Sequence, residues 1–296
     1  MTGGAGFIGS HIADSAREVN DLYVFDDFST GSRDNLPDES TVIESNLRNT
    51  DRLTSTVEAV DLVFHEAAQV SVQRSIESPV QSQKTNLDPI HTILEAARDT
   101  DTRIVFASSA AIYGEPEYTP IDEGHPKNPT SPYGLEKLAA DHYCRLYHEL
   151  FGVEAVTLRY FNVYGPRQQA GDYSGVISIF REQALKDEPI TIEGDGTQTR
   201  DFVHVDDVVQ ANILAATHEE APGKAFNVGT GTEITIRELA ETIKEVTDSD
   251  SEIVHVEPRE GDIDESIADV TRARETLGYE PKYDIHDGIK AYLSDQ

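Results

Sequence analysis

The chain has few residues of the kinds that form disulfides, bind polyanions or cross membranes. Cys144 is the single cysteine among 296 residues, which excludes a disulfide framework and a cysteine-based metal site. No segment approaches the roughly 18 consecutive apolar residues of a membrane-spanning helix, and no signal peptide is visible. The histidines lack the spacing of metal ligands. We therefore expect a soluble, cytoplasmic protein without a metal.

Basic residues are also scarce. The chain has 24 lysines and arginines and 55 acidic residues, which gives a formal net charge of −31. Such a surface repels phosphate backbones and anionic lipids, which argues against nucleic-acid and membrane partners. The acidic residues are spread along the chain rather than gathered in one tail. This distribution suggests adaptation to high salt, where screening weakens self-repulsion, so a halophilic source is a hypothesis.

Short β-branched and aromatic segments alternate with helix-like segments, which is typical of a parallel, doubly wound α/β sheet. The predicted strands are Leu22–Asp26, Thr41–Ile43 with its flanks, Asp61–His65, Arg103–Ser108 and Ala155–Tyr160. The predicted helices include Ser10–Val19, Thr85–Arg98 and Pro132–Phe151. After about Gly165 the pattern loosens. We expect residues 1–165 to form the main domain, to which 201–217 return, and 166–296 to form mainly a smaller substrate-binding region.

A glycine-rich turn opens the chain and predicts a dinucleotide site. Gly4, Gly6 and Gly9 satisfy G-x-G-x-x-G, and Gly3, Gly6 and Gly9 satisfy a G-x-x-G-x-x-G spacing. Glycines there let backbone N–H groups and a helix N-terminus approach a pyrophosphate. Asp26, about 20 residues on, can accept hydrogen bonds from ribose hydroxyls and would repel a 2′-phosphate. The pattern predicts NAD rather than NADP, with Gly3, Gly6, Phe7, Ile8, Gly9 and Asp26 as contacts.

One part of this pattern is missing, because the turn should follow a strand and here begins at residue 3. Met1 stands where such folds carry the last apolar residue of their first, central strand. Loss of that strand would expose the apolar edges of its neighbours. We therefore expect a mis-assigned start rather than a sheet without its middle.

The segment Ser131–Lys137 holds a tyrosine and a lysine four residues apart. On a helix, Tyr133 and Lys137 would share one face. A nearby cation favours the phenolate, so we expect Tyr133 to act as a base well below its ordinary pKa of about 10. Alone, such a pair is more often two solvated side chains.

With these motifs in place, the chain resembles the extended short-chain dehydrogenase/reductase family, and within it the NAD-dependent branch of UDP-glucose (UDP-galactose) 4-epimerases. The resemblance extends over almost the whole chain and rests on Thr2–His11, Phe64–Val70, Phe106–Gly114, Ser131–Lys137, Leu158–Arg167, Gly194–Asp207, Phe226–Gly231 and Arg259–Asp262. It implies C4 epimerisation of a UDP-hexose through a 4-keto sugar, with hydride passed to and from tightly bound NAD. It also implies a homodimer.

The resemblance assigns roles residue by residue. Ser109, Tyr133 and Lys137 would be catalytic, with Ser109 bonding the sugar hydroxyl and Lys137 holding the nicotinamide ribose and lowering the tyrosine pKa. Further NAD contacts would be Asn46, Leu47, Ala67, Ala68, Asn86 and Tyr160. UDP-sugar contacts would be Asn162, Val176, Arg200, Arg259 and Asp262. Two departures are Gly175-Val176, where well-known members have an asparagine-containing pair, and Pro89, which should bend or delay its helix.

Sibling activities remain alternatives. Dehydratases and UDP-glucuronate decarboxylases of this family carry an acidic residue after the catalytic serine or threonine, where this chain has Ala110 and Ala111. Alanine cannot move a proton, which argues against both. UDP-glucuronate 4-epimerisation stays open, and a non-catalytic NAD sensor is disfavoured by the intact Ser109, Tyr133 and Lys137. Ser266 stands where a bulky residue in some relatives blocks 2′-acetamido sugars, so UDP-N-acetylglucosamine is also a candidate.

Overall fold

The chain is built around a parallel sheet whose strands are joined by helices. The structure, a computed structural model, describes residues 1–17, 20–168, 175–258 and 263–294. In chain order the strands are β1 (Tyr23–Asp26), β2 (Thr41–Glu44), β3 (Leu62–His65), β4 (Arg103–Ser109), β5 (Ala155–Tyr160), β6 (Asn162–Tyr164), β7 (Ile190–Glu193), β8 (Thr199–Arg200), β9 (Phe202–His204), β10 (Ala225–Val228), β11 (Ile234–Thr235) and β12 (Ile253–Val256).

The helices are α1 (Phe7–Ala16), α2 (Thr50–Val57), α3 (Val72–Glu77), α4 (Pro79–Asn86), α5 (Asp88–Arg98), α6 (Pro132–Phe151), α7 (Val176–Leu185), α8 (Val205–Thr217), α9 (Ile236–Thr247), α10 (Thr271–Leu277) and α11 (Ile285–Ser294). Among the residues described, none of these helices has the length and apolarity needed to cross a membrane.

The main sheet has two paired parts that meet at the start of the chain. β2 pairs with β1, and β3, β4, β5 and β10 follow one another, all in parallel. Thr2 bridges Phe25 of β1 and His65 of β3. Its N–H donates to the Phe64 carbonyl at 2.9 Å, and the Gly3 N–H donates to the Phe25 carbonyl at 3.0 Å. Met1 and Thr2 thus lie between β1 and β3, where a central strand was expected.

Separate apolar clusters cover the two faces of this sheet. One joins Ile12 of α1 and Val208 of α8 to inward side chains of β4, β5 and β10. The other joins Leu53 of α2, Ile93 of α5 and Ala140 of α6 to the alternate side chains of the strands. Because neighbouring strand residues face opposite ways, buried parallel strands need apolar residues at nearly every position. This arrangement confirms the predicted doubly wound α/β fold.

Helix boundaries differ from the prediction around Pro89. The predicted helix Thr85–Arg98 is divided, since α4 ends at Asn86 and α5 begins at Asp88. Pro89 lies in the first turn of α5. Proline is tolerated there because the first N–H groups of a helix have no partner within it. The proline therefore starts a new helix instead of bending a continuous one.

A third apolar cluster lies in the second half of the chain. It packs α7, α9 and α11 around β7, with Phe180, Ile192, Leu239 and Ile289 fully buried. Small strand pairs surround it: β12 with β7, β9 with β6, and β11 with β8. Since α8 packs against α1 and β10 joins β5, the chain also returns to the main sheet after residue 201. The division at residue 165 stays a prediction.

Candidate functional site

A cavity of about 400 Å³ lies at the carboxyl ends of β1, β3, β4 and β5. Loops after parallel strands meet at this edge of a doubly wound sheet, which is where such folds bind ligands. Most of the residues predicted to contact NAD or to act in catalysis line it: Gly3, Gly6, Phe7, Ile8, Gly9, Asp26, Asn46, Leu47, Ala67, Ala68, Ser109, Tyr133, Lys137 and Tyr160. The fold therefore gathers side chains that are far apart in the sequence.

The glycine turn is shaped for close backbone approach. Gly3 has φ of +68°, and a Cβ there would lie 2.6 Å from the Ala67 nitrogen. A Cβ at Gly9 would lie 2.2 Å from the Gly3 carbonyl oxygen. Neither position accepts a side chain, so loop and helix pack tightly enough to present free N–H groups at the start of α1. This cradle fits a pyrophosphate.

Asp26 closes one end of the cavity, next to the glycine turn. Its carboxylate accepts hydrogen bonds from the N–H groups of Ala5 and Phe28, at 3.0 and 2.9 Å, which fix it between the glycine turn and the next loop. Asn46 donates to Asp27 at 2.5 Å and accepts from the Arg48 N–H at 3.0 Å. This end therefore offers carboxylate oxygens to ribose hydroxyls, as NAD requires.

Ser109, Tyr133 and Lys137 meet at the opposite end of the cavity. Ser109 ends β4, and the Ser131 side chain caps α6 by accepting from the Gly134 N–H at 3.1 Å. The Tyr133 N–H is held by Ser75 Oγ at 3.2 Å, and Lys137 Nζ donates to the Ala107 carbonyl at 2.7 Å. The cap and these two bonds orient the first turns of α6 toward the end of β4.

The tyrosine pKa differs from the prediction. Burial raises the pKa of Tyr133 to about 12, while its hydrogen bond with Ser109 acts in the opposite direction. Burial also lowers the pKa of Lys137 to about 8. The Lys137 ammonium lies 6.0 Å from the centre of the Tyr133 ring and is bonded to a carbonyl. The expected lowering of the tyrosine pKa by Lys137 alone is therefore not seen, because desolvation dominates.

Asn86 is not part of the cavity lining, and its contact with NAD stays a prediction. It is fully buried, and its side chain accepts from the Gln69 N–H at 2.8 Å and donates to the Gln69 carbonyl at 3.0 Å. It also donates to Glu136 on α6 at 2.8 Å. Asn86 thus braces the loop after β3 instead of lining the cavity itself.

Glu66 is a cavity residue that the sequence analysis did not single out. It follows β3 directly, and its carboxylate accepts from the Tyr160 hydroxyl at 3.0 Å. Arg167 and Gln168 line the cavity as well. A polar residue immediately after a buried strand, inside the segment Phe64–Val70, was the available signal for Glu66.

The predicted UDP-sugar contacts are less complete. Within the described part of the chain, Asn162, Val176 and Arg200 lie outside the wall of this cavity. Asn162 donates to the Asp201 carbonyl at 3.0 Å, Val176 begins α7, and Arg200 donates to the Thr199 carbonyl at 2.7 Å. Arg259 and Asp262 lie outside the described residues.

Together, the parallel sheet, the glycine cradle and the aspartate at its rim define a dinucleotide-binding protein. A family model described as "NAD dependent epimerase/dehydratase family" matches residues 1–229. The chain belongs to this family of NAD-dependent nucleotide-sugar enzymes, and NAD is its cofactor, as predicted.

Three similar proteins show the range of activities nearby. UDP-glucose 4-epimerase of Thermotoga maritima, solved with UDP-glucose, has 38% identity and a TM-score of 0.95, covering 99% of this chain and 96% of that one. UDP-N-acetylglucosamine 4-epimerase of Methanobrevibacter ruminantium, solved with UDP-N-acetylmuramic acid, has 35% identity, a TM-score of 0.95 and the same coverage. UDP-glucuronic acid decarboxylase 6 of Arabidopsis thaliana is 36% identical over 98% of this chain and 85% of its own length.

Proposed function

We propose that the protein is a UDP-sugar 4-epimerase. The observation that carries this proposal is the meeting of Ser109, Tyr133 and Lys137 in the same cavity as the glycine cradle and Asp26. A base placed beside a dinucleotide site is what reversible oxidation of a sugar hydroxyl requires. The epimerases among the similar proteins support the same conclusion.

In this proposal Tyr133 acts as a phenolate and accepts the proton of the sugar 4-hydroxyl. NAD, held by the glycine cradle and Asp26, would supply the hydride acceptor for this oxidation and, once reduced, the hydride donor for reduction of the 4-keto sugar on its opposite face. Ser109 would bond the reacting oxygen, and Lys137 would hold the nicotinamide ribose. The positive charges of Lys137 and of the oxidised nicotinamide would together bring the Tyr133 pKa down from about 12.

The residues after Ser109 favour epimerisation over its sibling reactions. Ala110 and Ala111 begin the short 3-10 turn that directly follows Ser109 at the end of β4. Neither can act as the acid that elimination at the neighbouring carbons needs. A decarboxylase or 4,6-dehydratase is therefore the weaker candidate, and a non-catalytic NAD sensor would not need the three catalytic side chains.

We assign the binding of the UDP moiety to the residues that match the nucleotide contacts of the family, Asn162, Val176, Arg200, Arg259 and Asp262. The two arginines suit the diphosphate, because arginine binds phosphate oxygens bidentately. We further propose a homodimer formed through α5 and α6. Apolar side chains are exposed on α6, with Leu135 59%, Leu150 67% and Phe151 43% accessible. These residues lie near the two ends of α6, and exposed apolar side chains along one helix are more typical of an interface than of a solvated helix.

Two experiments address the choice of sugar. Proton NMR of UDP-glucose, UDP-N-acetylglucosamine and UDP-glucuronate, each incubated with the protein in molar KCl and trace NAD, should show one matching galacto anomeric signal without net NADH. Loss of the 6-carboxylate or a 4-keto-6-deoxy product would contradict the proposal.

Ser266 allows a test of which UDP-sugars the site accepts. It is buried, and its carbonyl accepts from the Asp201 N–H at 2.8 Å. If its small side chain leaves room for an acetamido group, Ser266→Tyr should reduce activity on UDP-N-acetylglucosamine far more than on UDP-glucose. Equal activity of variant and wild type on both sugars would refute this role.

A further inference from the structure

Glu66 is the one carboxylate at the Tyr133 end of the cavity that the proposed reaction does not use, within the part of the chain the structure describes. Its side chain is half-buried and lines the cavity. Glu66 Oε1 accepts from the Tyr160 hydroxyl at 3.0 Å. The Tyr160 oxygen in turn accepts from Asn212 Nδ2 of α8 at 2.7 Å.

The direction of this hydrogen-bond chain is fixed. Asn212 Nδ2 also donates to the Val208 carbonyl at 2.9 Å, and a carbonyl only accepts, so the amide nitrogen must face Tyr160. Tyr160 therefore receives a hydrogen bond from Asn212 and gives its own proton to Glu66. Glu66 is held as an acceptor whether or not its second oxygen carries a proton.

Residues of two elements act on the Glu66 carboxylate, Lys137 of α6 by its charge and Tyr160 of β5 by its hydrogen bond. Tyr133 lines the same cavity, and His65 precedes Glu66 at the end of β3. Burial lowers the pKa of His65 to about 3, so this ring is neutral. Burial raises the pKa of Glu66 to about 7, and the attraction of Lys137 offsets part of that rise. The other charged residues on the cavity wall are Asp26, Asp27 and Arg167, the last paired with Asp14 at 2.8 Å.

We propose that Glu66 is a positioning residue whose ionised carboxylate balances Lys137 and makes the cavity prefer NAD⁺ over NADH. The oxidised nicotinamide carries a positive charge that the reduced ring lacks. A carboxylate at the Tyr133 end stabilises the oxidised form, and protonation of that carboxylate removes the effect. The preference therefore follows the ionisation of Glu66. This inference rests on the cofactor and on the end of the cavity where hydride transfer is proposed, not on which UDP-sugar is bound.

The test measures dissociation constants of NAD⁺ and NADH for protein stripped of cofactor, between pH 5.5 and 7.5. This range lies below the Lys137 pKa of about 8, so most of the lysine stays charged. The ratio of the NADH constant to the NAD⁺ constant should rise several-fold with pH in the wild type, up to about tenfold for a coupling of one pKa unit. In Glu66→Gln, which keeps the acceptor oxygen, the ratio should be flat.

Asp27→Asn serves as the matched control, because Asp27 lines the opposite end of the cavity. The two cofactor forms share the same adenosine half, so this variant should change both constants by one factor and keep the wild-type pH slope. A pH-independent ratio in the wild type, or an unchanged slope in Glu66→Gln, would overturn the proposal.

A second measurement follows the coupling in the wild-type protein itself. In wild-type protein labelled at glutamate carboxyl carbons, one resonance should titrate near neutral pH. Because coupling is reciprocal, NAD⁺ should move that titration to lower pH, and NADH should move it less. Equal shifts with both cofactors would contradict the inference. Disappearance of the same resonance in Glu66→Gln assigns it.

Discussion

At the scale of single residues, the site depends on polar side chains held in a desolvated cavity. Tyr133 and Lys137 have pKa values moved in opposite directions by the same burial, to about 12 and about 8. The sequence predicted their proximity correctly, because positions i and i+4 share a helix face. It could not predict the balance between desolvation and attraction, which depends on elements distant in sequence, as Ser109 and Glu66 illustrate.

Removing the Tyr133 hydroxyl should abolish turnover while leaving the cofactor bound. Tyr133→Phe keeps the ring and loses the proton acceptor, so we expect kcat to fall by about 10²- to 10⁴-fold. Tyr118→Phe is the control, because Tyr118 is exposed and donates to Asp122 away from the cavity. Comparison of kcat and of the NAD dissociation constant checks this. Activity within about threefold of wild type would exclude Tyr133 as the base.

His65 should make the protein less stable in acid. Its folded pKa is lowered to about 3, so below pH 6.5 the unfolded chain gains a proton that the folded chain does not. Stability from this group is present above pH 6.5 and is lost as pH falls toward 3. Between pH 7.5 and 5.0 it should contribute a loss of about 2 kcal/mol.

Urea unfolding at both pH values measures this loss. His65→Gln should lose about 2 kcal/mol less than wild type over that interval, whereas replacement of the exposed His142 by glutamine should match wild type. Equal losses in all three proteins would show that His65 is not kept neutral.

At the scale of secondary-structure elements, α6 and β5 match their predicted bounds, Pro132–Phe151 and Ala155–Tyr160. Ser131 as cap, Pro132 in the first turn and Gly152 after the last residue mark both ends of α6. The helix α3 and most of α4, before Thr85, were not predicted, since their few buried residues are polar, such as Ser75 and Ser82. Hydrogen bonds set their packing on α6, and such contacts leave no periodic pattern of apolar residues in the sequence.

The contact between α4 and α6 predicts the effect of a charge substitution. Asn86→Asp would place a second carboxylate beside Glu136, which now lies 2.8 Å from the amide nitrogen. A buried pair of like charges should lower the free energy of unfolding by about 3 kcal/mol and weaken NAD binding through the loop that holds Gln69.

Thermal or urea unfolding measures the first effect and cofactor titration the second. Adding Glu136→Gln should restore most of the lost stability and most of the lost NAD affinity. The new amide can donate a hydrogen bond to the introduced carboxylate in place of the lost bond. Gln81→Glu, exposed on the same helix, is the control and should change neither. Failure of the second substitution to rescue would contradict the assigned contact.

At the scale of the whole molecule, fold class and cofactor were predictable, because glycine spacing and strand alternation report local geometry. The residues predicted around the cofactor mostly line one cavity, and their roles stay predictions. The residues proposed to bind the UDP moiety were less predictable from the sequence, because Asn162 and Arg200 contact backbone carbonyls of the second half of the chain. The halophilic origin stays a prediction. A net charge of −31 nevertheless has a measurable consequence.

Salt should stabilise the folded protein. Raising KCl shortens the screening length from about 8 Å near 0.15 M to about 3 Å near 1 M, which weakens repulsion among the acidic side chains. We expect the melting temperature to rise by at least about 3 °C, equivalent to roughly 1 kcal/mol for a chain of this size. The same protein with several exposed acidic residues replaced by lysine should show a smaller rise. A melting temperature independent of KCl would refute the argument.

In the proposed reaction one hydride leaves C4 of the sugar and returns to the same carbon. The most direct measurement is NMR of the UDP-sugar that turns over, labelled with deuterium at C4 and incubated with the protein in ordinary water. We predict that both epimers keep the deuterium at C4, because the label passes through NAD and never exchanges with solvent. Loss of the label to water, or a product altered at C5 or C6, would contradict this mechanism.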